Sequence, residues 1–208
     1  MPAFDHFAAI ASIYARVTYS QKEMMCEVAS LPVHGKLLDV GGGTGRVTSA
    51  IREFVDDAVI ADVSFGMLKE APRSTLKPVC GLSEALPFAD NSFERVIMVD
   101  TLHHVINHAE SVREMVRVLK PGGILVIEEP DIRTFGVKLI ALVEKLLLMR
   151  SHFLAPEAIT KLFEVGKTKV KTEDGTAWVI FEKKSLSSSL ERLFFYSLAS
   201  TCLAITNR

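Results

Sequence analysis

The 208 residues carry 24 Lys and Arg against 25 Asp and Glu, a formal net charge of −1. That balance offers no global field for drawing in nucleic acid. No run reaches the roughly 18 apolar residues of a membrane span, and no basic, apolar and small-residue succession marks a secretion signal, so a cytoplasmic protein is expected.

Taken in chain order, Phe4 to about Val17 places Phe4, Phe7, Ala8, Ile10, Ala11 and Tyr14 at helical spacing, and a second helical stretch runs from about Ser20 to Ala29 before Leu31-Pro32. From Lys36 the pattern alternates. Strands are predicted near 36–40, 58–62, 77–80, 95–99 and 124–129, and helices near 44–54, 64–71, 108–119 and 136–150. Such alternation calls for a mostly parallel sheet with helices on both faces. Between the first strand and its helix stands Leu37-Leu38-Asp39-Val40-Gly41-Gly42-Gly43-Thr44-Gly45. Glycines at alternate positions let a chain leave a strand end and turn sharply without Cβ clashes, bringing N–H groups against a ligand, so this run is read as a nucleoside-cofactor turn.

Further along, Ala155-Pro156-Glu157-Ala158 opens a short helix ending about Val165-Gly166, and strand formers over 167–173 and 176–184 flank the hairpin signal Asp174-Gly175. The stretch Phe135 to Met149 is apolar nearly all round and is expected to need cover on several sides, from core packing or over an apolar substrate. The tail Leu186 to Arg208 lines up Leu190, Leu193, Phe194, Ser197, Leu198 and Thr201 on one face. It reads as a docking helix, a homodimer contact or an interfacial anchor, and is too short to span a bilayer. Cys26, Cys80 and Cys202 form neither a close pair nor a metal-ligand spacing, so they are expected to be reduced.

Four segments in order carry a resemblance to the class I S-adenosylmethionine-dependent methyltransferases, most nearly the small-molecule branch that includes ubiquinone and menaquinone biosynthesis C-methyltransferases. They are the glycine turn, the acid-ending strand Val59-Ile60-Ala61-Asp62-Val63-Ser64, the loop and strand from Gly81 to Asp100, and Leu119-Lys120-Pro121-Gly122-Gly123 before Ile124-Leu125-Val126-Ile127-Glu128. The resemblance implies an α/β Rossmann-like fold, a seven-stranded mixed sheet of order 3-2-1-4-5-7-6 with helices on both faces and an N-terminal helical cap. One domain over 1–208 is expected, with the cap at 1–33, a catalytic core at 34–184 and the apolar tail at 185–208. The implied cofactor is S-adenosyl-L-methionine, leaving as S-adenosyl-L-homocysteine, and the implied acceptor is a small, partly apolar metabolite methylated by in-line displacement.

Residue by residue, Gly41, Gly43 and Gly45 are expected to shape the methionine pocket, with Asp39 orienting the turn. Asp62, closing the second strand where ligands lie across strand ends, is expected to hold the ribose. Val63 would pack on adenine, Ser83 and Glu84 would border its edge, and Asp100 would meet the cofactor amino group. Family members commonly carry Asp where Leu82 stands, and Leu82 cannot accept from the adenine amino group. His103 and His104 are candidate general bases, and Tyr14, Tyr19, Glu129, Asp131 and Phe135 are candidate acceptor-pocket residues. His104 and His108 stand at i and i+4, but without a third ligand no metal site is expected. Three alternatives stay open. A nicotinamide oxidoreductase shares the sheet, but Arg46 stands where Gly-x-Gly-x-x-Gly needs its third glycine. A noncatalytic cofactor-binding or scaffold protein is compatible with Leu82 and the tail. A nucleic-acid methyltransferase is disfavoured by the neutral charge.

Overall fold

The structure is a computed structural model that describes residues 11–16, 18–146 and 151–185. Seven strands, β1 (Val33–Val40), β2 (Val55–Asp62), β3 (Lys77–Cys80), β4 (Phe93–Val99), β5 (Leu119–Pro130), β6 (Lys167–Glu173) and β7 (Thr176–Glu182), form one sheet of order β3-β2-β1-β4-β5-β7-β6. The first five pair in parallel, and β7 runs antiparallel to both β5 and β6. This is the order the resemblance implied. The helices are α1 (Ala11–Tyr14), α2 (Lys22–Val28), α3 (Arg46–Ile51), α4 (Phe65–Lys69), α5 (His108–Val118), α6 (Phe135–Leu146) and α7 (Pro156–Thr160).

Successive strand residues point to opposite faces, and both faces here are apolar. Leu38, Val96, Met98, Leu125, Ile127, Val179 and Phe181 form one core with Val112, Met115 and Val118 of α5 and Ile159 of α7. Their neighbours Leu37, Ile97, Val126 and Trp178 form the other, with Met25 of α2, Val47 and Ile51 of α3 and Leu68 of α4. Near-continuous apolar runs in β1, β2, β4 and β5 are what a parallel sheet covered on both sides requires.

Two arginines anchor connections to this framework. Arg117, in the last turn of α5, donates to the carbonyls of Leu86 (3.0 Å) and Phe88 (2.8 Å) and to the Asp90 carboxylate (2.7 Å), fastening the loop between β3 and β4. Arg95 reaches the carbonyls of Ala29 (2.5 Å) and Ser30 (3.1 Å), tying the end of α2 to β4.

Several expected boundaries shift for local reasons. Asp174 and Gly175 both have positive φ (46° and 79°), as a two-residue hairpin turn requires. β5 begins at Leu119 rather than 124: Phe93 pairs with Leu119 and Arg95 with Ile124, so residues 120–123 bulge out of the ladder. Pro121 has no N–H to give, and Gly122 takes φ +76°, which lets the strand leave the ladder and rejoin it. α3 tightens into a 3-10 turn at Arg52–Phe54, and α7 stops at Thr160, short of the expected 165–166.

The expectation that the apolar stretch from Phe135 is covered on several sides is corrected by α6. Val137 is buried, but Phe135 (83% exposed), Leu139 (54%) and Leu142 (53%) lie open, at the i, i+4 and i+7 spacing that shares one face of a helix. The remainder of that stretch at 147–150, the helical signal at 4–10 and the tail at 186–208, with its homodimer reading and Cys202, lie outside the described residues. Cys26 and Cys80 are free thiols. Among the described residues no helix is long and apolar enough to cross a membrane.

Phe181 of β7 is fully buried and stacks on Phe163 at 4.5 Å between centroids. Phe181→Ala should lower the unfolding free energy by about 3–5 kcal/mol in urea titrations, the range for aromatic truncation in a core. A loss below about 1 kcal/mol would contradict this packing.

Candidate functional site

The strand order reverses between β1 and β4, and the helices that follow them, α3 and α5, pack on opposite faces of the sheet; the carboxyl ends of such a strand pair are where an open α/β sheet holds its ligand crevice. The glycine turn forms one wall. Gly41 N–H donates to the carbonyl of Ala61 (2.7 Å), which binds the turn to β2, and Gly45 N–H closes on Gly42 (2.8 Å) at the start of α3. Gly41, Gly43 and Gly45 have φ of +75°, +52° and +75°, a region L side chains rarely adopt. Space adds to the constraint, since a Cβ on Gly41 would lie 2.2 Å from Thr101 Cγ2 and one on Gly45 2.4 Å from Leu76 Cδ1. Asp39 is buried beneath the turn, where Thr48 Oγ1 donates to it (2.5 Å), and burial pushes its carboxyl up to about 7.

Asp62, half-buried at the end of β2, is fixed by backbone donors. One oxygen accepts the N–H of Gly43 (2.9 Å) and the other the N–H of Ser64 (2.7 Å), which together set the plane of the carboxylate. The next residue, Val63, is 47% exposed, and Gly81 N–H donates to the Asp62 carbonyl (3.0 Å), bringing the loop after β3 alongside. On that loop Leu82 is 54% exposed, Ser83 Oγ donates to Glu84 (3.0 Å), and the other Glu84 oxygen accepts the N–H of Asn107 (3.4 Å). An acid thus stands between a glycine turn and two exposed aliphatic side chains.

The other end of the crevice is charged. Asp100, just beyond β4, has φ +49° and a side chain 49% exposed, with the guanidinium of Arg46 3.6 Å away. Protein packed around the remainder of Asp100, then the nearby Glu129, raise its carboxyl above the usual range, while Arg46 opposes them. Arg46 is largely buried and lies over the Tyr19 ring at 5.5 Å. Arg46 is not among the site residues expected from the sequence. The available signal was its place as the first helical residue after the glycine turn, from which a long side chain reaches back over the strand ends.

Residues 38–127 match a family model described as a methyltransferase domain. Over 103 residues the chain is 41% identical to a demethylmenaquinone methyltransferase of Renibacterium salmoninarum, an alignment covering 49% of this chain and 44% of that protein. Over 119 residues it is 35% identical to a ubiquinone/menaquinone biosynthesis C-methyltransferase of Pseudomonas aeruginosa, covering 52% and 46%. Over about half of its length the chain is thus similar to proteins named as methyltransferases. It spans about half the length of the curated relatives it matches. The fold agrees with the solved structure of an S-adenosylmethionine-dependent methyltransferase from Aquifex aeolicus, with a TM-score of 0.66 at 16% identity, covering 86% of this chain and 98% of that one.

Around this crevice the residues expected on the acceptor side are placed unevenly. Tyr19 is buried and donates its hydroxyl to Glu128, which also accepts from the Trp178 indole (2.7 Å). Burial, followed by the charge of Glu128, holds the Tyr19 hydroxyl far above its usual titration range. Glu129 is buried against the turn after β4, one oxygen accepting the N–H groups of Thr101 and Leu102 and the other meeting His103 Nδ1. Asp131 is held in a bidentate pair by Arg133, whose guanidinium lowers its titration, and Arg133 also reaches Glu157. Phe135 faces solvent, and Tyr14 belongs to α1 with its side chain outside the described residues.

The histidines do not form one helical face. His103 and His104 lie in a 3-10 turn and His108 opens α5, so the i, i+4 spacing does not place His104 and His108 on a common helix. His103 is buried and stacks on Phe153 at 4.3 Å. Burial, reinforced by His103, pushes His104 down to about 4, leaving it a neutral ring near pH 7. Among the described residues no group of three or more His, Cys, Asp or Glu is placed to hold a metal ion.

Burial also pushes Glu128 from 4.5 up to about 7, with Tyr19 and Trp178 opposing the shift through hydrogen bonds. A carboxyl raised in the folded state stabilises below its unfolded value and loses that contribution as pH rises toward the folded value, here from about 4.5 to about 7. Glu128→Gln keeps an acceptor for both donors and cannot ionise. Relative to the unchanged protein its unfolding free energy should therefore rise by about 1–3 kcal/mol between pH 5 and pH 8. A difference that is flat with pH would show that Glu128 titrates normally.

Proposed function

We propose that this crevice binds S-adenosylmethionine and presents its methyl group to a small, partly apolar acceptor. The observation that carries this reading is Asp62, a carboxylate locked by Gly43 and Ser64 beside the glycine turn and flanked by exposed Val63 and Leu82. Two ribose hydroxyls can donate to such a carboxylate, and two aliphatic side chains suit the faces of an adenine ring. Leu82 then contributes contact area where an Asp would contribute a hydrogen bond, leaving the adenine edge to Ser83, Glu84 and the loop backbone.

At the charged end, Asp100 and Arg46 offer opposite charges to an α-amino acid, the acid toward its ammonium and the guanidinium toward its carboxylate. Their separation of 3.6 Å is longer than a charge-assisted hydrogen bond, so a zwitterion between them gains contacts that the pair lacks alone. Gly41, Gly43 and Gly45 keep this space clear of side chains, and Asp39 and Thr48 support the turn from below.

Bound S-adenosylmethionine supplies an electrophilic methyl on a sulfonium, and in-line attack transfers that methyl while sulfur keeps the electron pair of the broken bond. The protein's part is to align acceptor and methyl and to exclude water, which positioning alone can turn into a large rate gain. Where the acceptor atom must lose a proton, His103 suits the task better than His104. A carboxylate partner stabilises an imidazolium, whereas burial keeps His104 uncharged down to about pH 4. The names of the relatives make demethylmenaquinone the first acceptor to test.

Calorimetric titration with S-adenosylmethionine and S-adenosylhomocysteine should show micromolar binding, with NAD and NADP silent. Asp62→Ala should weaken the homocysteine form by about 1–3 kcal/mol, the range for loss of charged hydrogen bonds. Unchanged affinity in a folded Asp62→Ala protein would remove the ribose assignment. Binding without methyl transfer to any apolar acceptor would favour a noncatalytic cofactor-binding role.

A further inference from the structure

Glu129, 3% exposed near the end of β5, gathers three consecutive residues of the neighbouring loop onto one carboxylate. Its Oε1 accepts the N–H groups of Thr101 (2.9 Å) and Leu102 (2.6 Å), and its Oε2 lies 2.5 Å from His103 Nδ1. The loop needs such an anchor. Asp100 sits at φ +49°, where the chain breaks from the extended path of β4, and the two N–H groups that follow are carried off the sheet ladder.

Thr101 extends this anchor to the cofactor turn. Its Oγ1 donates to the Val99 carbonyl (2.8 Å) and lies 3.3 Å from the carbonyl oxygen of Gly41. Its methyl and hydroxyl fill the space that a Cβ on Gly41 would need, at 2.2 and 2.5 Å. Movement of Thr101 therefore moves the surface on which the glycine turn rests, and it carries Asp100 along.

We propose that Glu129 is a positioning residue with one task for each oxygen. Oε1 clamps the turn that holds Asp100 and Thr101 against Gly41, so that the acceptor side of the crevice sets the shape of the cofactor side. Oε2 fixes the tautomer of His103: an ionised carboxylate only accepts, so Nδ1 carries the hydrogen and the basic lone pair is left on Nε2. Occupied in this way, Glu129 supports the crevice and does not line the acceptor pocket. The first task deepens the S-adenosylmethionine reading, whereas the second stands without it.

The test compares Glu129→Ala and Glu129→Gln in the full chain, with Val126→Ala as a buried control on the same strand. S-adenosylhomocysteine affinity is read by calorimetry, stability in urea, and the His103 tautomer from imidazole nitrogen-15 shifts. Glu129→Ala leaves two buried N–H groups without an acceptor and should bind S-adenosylhomocysteine about tenfold more weakly or worse. Val126→Ala should lose stability without that loss of affinity. Glu129→Gln restores an acceptor oxygen and should recover affinity over the Ala variant, while its amide N–H₂ donates to Nδ1 and moves the His103 hydrogen to Nε2. Unchanged affinity in folded Glu129→Ala, or the same His103 tautomer in the Gln variant and the unchanged protein, would overturn the proposal. If Glu129→Ala does not fold, the tautomer exchange in Glu129→Gln still decides the second task. If the unchanged protein binds no S-adenosylhomocysteine, the cofactor reading fails, and the tautomer exchange again reports on Glu129 alone.

Discussion

Carboxylates at the carboxyl ends of the parallel strands, each given a specific donor, are the constraint on which the crevice depends. Asp39, Asp62, Asp100, Glu128 and Glu129 crowd the ends of β1, β2, β4 and β5, where like charges repel and burial opposes ionisation. The fold meets this with directed hydrogen bonds: backbone N–H groups for Asp62 and Glu129, the Thr48 hydroxyl for Asp39, and Tyr19 with Trp178 for Glu128. Asp100 faces the guanidinium of Arg46. The acids consequently divide the labour. Asp39 and Glu128, with titration raised to about 7, act as buried hydrogen-bond acceptors, while Asp62 and Asp100 keep enough exposure to meet a ligand.

The sheet makes that concentration of acids tolerable. Aliphatic and aromatic side chains on both faces lock the strands in register, so the loops at their ends diverge from fixed points. Arg117 holds the loop after β3 to α5, and the carbonyl of Asp62 holds the start of the same loop to β2. The crevice is therefore bounded by segments tied at both ends. Beyond β5 in the chain, α6 leaves Phe135, Leu139 and Leu142 exposed.

Much of this was legible in the sequence because it is local. The glycine turn, the acid 17 residues beyond Gly45 and the Asp174-Gly175 hairpin are written in adjacent residues with strict backbone demands. The strand order came through resemblance, since periodicity carries no information about which strand lies beside which. The parts that escaped are long-range. Thr101 packing into the gap at Gly41 and Glu129 capping the turn after β4 join residues 60 and 28 positions apart, and nothing near either marks the contact. The bulge in β5 escaped for another reason: Pro121 and Gly122 signal a turn, and only pairing with β4 and β7 shows that the strand resumes on either side. Helical apolarity over 135–149 could not reveal which face would be left open, because that depends on what packs beside it.

The central claim, that the acids and glycines at these strand ends form one nucleoside and amino-acid site, is tested most directly by a crystal structure of the protein with S-adenosylhomocysteine. The expected result is ribose hydroxyls on Asp62, adenine between Val63 and Leu82, and the amino-acid end between Asp100 and Arg46 above Gly41. Nucleoside bound away from Asp62, or an amino-acid end that touches neither Asp100 nor Arg46, would contradict it.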